Sequence, residues 1–171
     1  MMMLSVDPGI RGCGVAVWEA GVLKRCAYVK NRVVENTPFT LAARAMAAQV
    51  YLYLGETALV SILALEWPQV YRVGKQKGDN NDLLPLAGVQ AAIATTYPVA
   101  VVYEFLPSQW KGQVPKDLKN PLGPDDIMGK RIVAKLTSAE REVFDKCGAP
   151  RSLLHNVIDS CGIGLKALER L

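Results

Sequence analysis

The chain is poor in the residues that build most metal and redox centres. It has a single histidine, His155, and four cysteines, Cys13, Cys26, Cys147 and Cys161, with no CxxC pair among them. That leaves no zinc-binding spacing and too few thiols for a secreted disulfide framework, so the cysteines read as buried thiols in a reducing compartment. No apolar run approaches the roughly 20 residues that span a bilayer. Met1 to Met3 lack the basic flank and long apolar region of a secretory signal. Both absences point to a cytoplasmic protein with no membrane partner. Charge of one sign is also missing: 20 Lys and Arg stand against 16 Asp and Glu, for a net +4, which permits a polyanionic partner without requiring one. There is no internal repeat and no low-complexity linker. With 171 residues, half of them hydrophobic, the chain reads as one globular domain over 1–171 that can bury a core unaided.

What is present begins with the run Leu4-Ser5-Val6-Asp7-Pro8-Gly9, followed by Gly12 and Gly14. It sets one carboxylate, exposed and rigidly held, where a strand gives way to a glycine turn. An acid there must face a cleft, a metal or a cation, unless it is simply a turn residue bonding its own backbone. Residues 2–7, 14–18 and 22–30 are apolar or alternating runs between glycine turns and predict a three-stranded antiparallel meander. Thr37-Pro38 predicts a helix cap with proline at the first helical position, and the helix stops at Gly55. Residues 58–65 form an apolar run of strand length that delivers a second carboxylate, Glu66, at its end.

The polar, basic stretch Gln69 to Asp82 reads as an exposed loop, and Asp82–Tyr97 as a helix apolar around most of its girth. Residues 99–105 predict another strand buried on both faces, followed by the proline-punctuated segment Pro107–Pro124. Helices are expected over 125–136, after Thr137, whose spacing to Glu140 is that of a capping box, and over 151–168. On that last helix His155 and Asp159 stand four residues apart, and Asn156 three before Asp159, so either can share its side. Asp7, Glu66 and Asp159 then offer hard oxygen ligands from three separate elements, as Mg²⁺ or Mn²⁺ requires when held by a few carboxylates and substrate phosphate.

In this order of elements, and in Val6-Asp7-Pro8-Gly9, Ala64-Leu65-Glu66, Pro107-Ser108-Gln109-Trp110-Lys111 and Asp159, the chain resembles the RuvC family of Holliday-junction resolvases from Leu4 to about Leu168. The resemblance implies a ribonuclease H-like α/β fold: a five-stranded mixed sheet, three strands antiparallel and two parallel, flanked by helices. It further implies a homodimeric, metal-dependent endonuclease that cuts four-way DNA with two Mg²⁺ or Mn²⁺ ions per site. Asp7, Glu66 and Asp159 take the ligand positions. The fourth position departs from the family pattern, with Asn156 where many relatives have an acid, so His155 is favoured and Asp145 is a weaker substitute. Tyr71 approximates the family's junction-gripping aromatic. Arg72, Lys75, Lys77, Lys111, Lys116, Lys119 and Lys130, with Arg131, are the candidate DNA contacts. A related nuclease for other branched DNA or RNA precursors, a nucleotide-binding domain of the actin and sugar-kinase type, and a non-catalytic nucleic-acid module remain alternatives.

Overall fold

The computed structural model describes residues 1–55, 59–69, 83–111 and 127–171. Its centre is a five-stranded sheet in the order β3-β2-β1-β4-β5, formed by β1 (Met2–Asp7), β2 (Gly12–Glu19), β3 (Val22–Lys30), β4 (Val60–Glu66) and β5 (Val101–Phe105). The first three strands are an antiparallel meander, while β4 runs parallel to β1 and β5 parallel to β4. The expected mixed sheet is present. β2 is longer than its apolar run, because Gly12 and Cys13 are already paired with Lys30 and Val29.

Alternation along the strands sorts side chains between two cores. Leu4, Val6, Val15, Val17, Leu63 and Leu65 face α1 (Phe39–Leu54) and α2 (Leu83–Thr96). Met3, Ala16, Trp18 and Ala64 face α6 (Leu154–Ala167), together with residues of α3 (Pro107–Trp110), α4 (Ile127–Lys135) and α5 (Ser138–Asp145). The second face is lined with small residues. Gly14 sits so close under the backbone carbonyl of Asn156 that no Cβ would fit, and Ser5 Oγ donates to the Ser160 carbonyl at 2.8 Å while accepting from Trp18 Nε1 at 2.9 Å. These contacts seat α6 directly on β1 and β2.

Several expectations need correction. β5 is not buried on both faces: it is the edge strand, and Val101, Val102 and Tyr103 are about two-fifths exposed. Thr37 does not cap α1; its hydroxyl bonds the Val34 carbonyl and Pro38 takes the cap position. The last helix opens with a separate 3-10 turn, Arg151–Leu153. α3 is a helical turn inside the proline-punctuated segment, started by Pro107, where the missing N–H costs nothing. The Thr137–Glu140 capping box is present in both directions. Glu140 is also buried at the heart of a clasp: it accepts from the Leu23 amide and from both terminal nitrogens of Arg170, at 2.8 and 2.7 Å. Those bonds, Arg170 first, hold its carboxyl at about 2. All four cysteines are free thiols; Cys13, Cys26 and Cys161 are buried and Cys147 partly so. Among the described residues no helix is long and apolar enough to cross a membrane.

Candidate active site

The same alternation that builds the second core aims two acids at α6. Met3, Ser5 and Asp7 share one face of β1, and Ile62, Ala64 and Glu66 share that face of β4. Since β1 and β4 are adjacent and parallel, with Val6 beside Leu65, Asp7 and Glu66 emerge side by side at their carboxyl ends. Crevices at such ends are where open α/β sheets bind ligands. Asp159 arrives from α6, which Ser160 pins to Ser5. Three elements distant in sequence therefore bring three carboxylates to one place.

The turn after Asp7 is braced on all sides. Cys13 Sγ lies 3.5 Å from the Gly9 amide and 3.6 Å from its carbonyl. Burial pushes that thiol up to about 12, so it stays a neutral brace. Asn31 Nδ2 donates to the carbonyls of Ile10 and Ala42, both at 2.8 Å, tying the turn to α1. A Cβ on Gly9 would come within 2.5 Å of the Gly12 carbonyl oxygen, which explains glycine at that bend.

Electrostatics dominate the site. Burial pushes Asp7 well above the usual carboxylate range, and the neighbouring Asp159 and Glu66 add to it against the opposing pull of Lys111. Burial also raises Glu66, partly offset by Lys111. Lys111, at the end of α3, places its Nζ 2.8 Å from Asp159 and 3.1 Å from Glu66. Burial alone would lower its pKa, but Asp159, Glu66 and Asp7 outweigh that and hold the ammonium charged. The carboxyl of Glu66 is fixed further by Trp110 Nε1, which donates to Oε2 at 2.8 Å.

Three hard carboxylates that repel one another in a buried site, with a cation drawn between two of them, form a donor set suited to a divalent ion. Among the described residues no group of three or more His, Cys, Asp or Glu is arranged so that it could hold a metal ion as the site stands. The bridging ammonium supplies the compensating charge instead.

The other sequence candidates separate clearly. Asp7, expected to be exposed, is mostly buried. Lys111, expected on a DNA-contacting loop, belongs to the acid cluster itself, and Trp110, to which the sequence assigns no role, hydrogen-bonds one of its acids. The signal was there in Pro107: proline opening one helical turn sends residues 110 and 111 back toward the sheet. His155 is partly buried, and its Nδ1 has no hydrogen-bond partner among the described residues. Asn156 turns its amide back onto the Leu153 carbonyl at 3.2 Å. Asp145 is exposed at the end of α5, which packs on β3 rather than on β1 or β4. Lys130 and Arg131 are exposed on α4. Tyr71, Arg72, Lys75, Lys77, Lys116 and Lys119 lie outside the described residues.

No family model matches the sequence. Over 83 residues it is 32% identical to the crossover junction endodeoxyribonuclease RuvC of Bifidobacterium adolescentis, a stretch that spans 48% of this chain and 42% of that protein. Its fold is similar to that of Thermus thermophilus RuvC in complex with a Holliday junction substrate, with a TM-score of 0.59 at 17% identity over 96% of this chain and 90% of that one. Another structure of Thermus thermophilus RuvC gives a TM-score of 0.55 at 18% identity, over 99% of this chain and 98% of that one. The yeast mitochondrial Holliday junction resolvase gives 0.58 at 12% identity, over 95% and 75%. In fold over nearly its whole length, and in sequence over about half of it, the chain is similar to RuvC proteins.

Proposed function

We propose that the protein is a metal-dependent endodeoxyribonuclease that resolves Holliday junctions by paired hydrolysis of phosphodiesters. The observation that carries this reading is the convergence of Asp7, Glu66 and Asp159 at the carboxyl ends of β1 and β4, around a charged lysine. The likeness to resolvases in fold, and to one of them in part of the sequence, supports it. Asp7, Glu66 and Asp159 act as ligands, and His155 is the fourth, because its Nδ1 is buried without a partner among the described residues. Two Mg²⁺ or Mn²⁺ ions bound there would supply the attacking hydroxide and stabilise the leaving oxygen. The residues of the chain do the rest: Glu66 is held at one angle by Trp110, and Lys111, once released from the acids, is placed to pair with a phosphate oxygen. The basic residues Arg72, Lys75, Lys77, Lys116 and Lys119, with Tyr71, and Lys130 on α4 contact the DNA arms.

Paired cutting requires two sites. α2 is apolar around its circumference, yet only Val89, Gln90 and Ile93 are buried and Leu84 is about two-thirds exposed. We place the homodimer contact on this α2 face. A supercoiled plasmid extruding a cruciform tests both parts at once. Incubated with protein and Mg²⁺ or Mn²⁺, it is expected to yield linear product from two cuts in one binding event, while a plasmid lacking the cruciform stays intact. Nicked circles alone would contradict the dimer, equal cleavage of both plasmids would favour a broader branched-DNA or duplex nuclease, and no cleavage with either metal would contradict the enzyme.

A further inference from the structure

Trp110 is the side chain that joins the two halves of the acid cluster. It is 2% exposed at the end of α3, and its indole N–H donates to Glu66 Oε2 at 2.8 Å. The opposite edge of its ring lies on α6 at Gly162, where a Cβ would come within 2.5 Å of Cζ3 and 2.9 Å of Cε3. Gly162 is one helical turn beyond Asp159. The ring thus spans from the carboxylate of β4 to the helix that carries Asp159. Lys111 Nζ stands 4.6 Å from the ring centroid, so the same face also steadies the ammonium.

A buried indole always seeks an acceptor, and a tryptophan that only fills space would bond any nearby carbonyl. This one bonds a carboxylate of the acid cluster, on the oxygen that also pairs with Lys111. We infer that Trp110 is a positioning residue for the metal centre: its N–H fixes the Glu66 carboxylate that would take a divalent cation, and its ring fixes the spacing between Glu66 and α6. The inference rests on the metal-site reading above. Carboxylate ligands are in general oriented by such outer hydrogen bonds, and losing one weakens metal affinity about tenfold or more.

The substitution Trp110→Phe keeps the ring over Gly162 and removes only the donor. In Mn²⁺ titrations followed by calorimetry, the variant is expected to bind about tenfold more weakly than the wild type. The Mn²⁺ concentration giving half-maximal junction cleavage should rise in step, while the rate at saturating metal stays within about twofold. A purely structural role would lower that rate and leave the affinity alone. Trp110→Phe binding Mn²⁺ within about twofold of the wild type would overturn the inference and leave the metal site standing. Absence of Mn²⁺ binding by the wild type would instead overturn the site. Should the variant fail to fold, the indole N–H resonances of the wild type decide. The chain has three tryptophans, and the Trp110 signal should move on Mg²⁺ addition with the same midpoint as cleavage. A Trp110 signal indifferent to Mg²⁺ would refute the role.

Discussion

Asp7→Asn is expected to reduce junction cleavage by about a thousandfold or more, with junction affinity unchanged. Asparagine has nearly the same shape, so the braced turn over residues 8–12 should persist. What disappears is one negative charge in a group of three, and with it a ligand. Loss of several kcal/mol of metal-borne charge stabilisation corresponds to that factor in rate. The same substitution should leave the fold as stable as the wild type or slightly more so, because burial and the Asp159 and Glu66 carboxylates already disfavour an ionised Asp7. Single-turnover cleavage at saturating Mg²⁺, with gel-shift titration of the same junction, gives both numbers. Wild-type rates in the variant would remove Asp7 from the site, and parallel loss of rate and affinity would make it a folding residue.

Gly14→Ala should cost about 3 kcal/mol of stability, at the upper end for an overpacked contact. Gly14 does not have a positive φ, so the reason is not backbone freedom. Its added methyl would overlap the carbonyl of Asn156 and lie 3.0 Å from the Val157 amide nitrogen. Those are backbone atoms and cannot rotate aside, so α6 must lift from β2. Because α6 also carries Asp159, whatever fraction of the variant remains folded should cleave poorly as well. Urea unfolding monitored by tryptophan fluorescence checks the first part. A midpoint equal to the wild type would mean that α6 is not seated as tightly on the sheet as described.

The fold was readable where one physical signal acts alone. β1 and β3 match their apolar runs residue for residue, and the Thr137–Glu140 box marks the start of α5 as its chemistry requires. Errors arose where tertiary context decides. An apolar run such as residues 99–105 looks the same whether a strand is central or at an edge, and β5 turned out to be the edge. The acid cluster was legible because Asp7 and Glu66 terminate strands and Asp159 sits on an amphipathic helix. Lys111 was misplaced for a reason of distance. Nothing in the local sequence tells a solvated loop lysine from one drawn 2.8 Å from an acid 48 positions away. Only the α3 turn and the Trp110 contact on Gly162 bring it there.

As proposed above, Asp7, Glu66 and Asp159 form a divalent-metal centre, compensated by Lys111 when no ion is bound. Crystals of the protein soaked in Mn²⁺, with anomalous scattering recorded at the manganese edge, test it most directly. Manganese peaks are expected within ligand distance of oxygens from all three carboxylates, with Lys111 Nζ withdrawn from Glu66 and Asp159. A map without manganese at these acids, with Lys111 still bridging them, would contradict it.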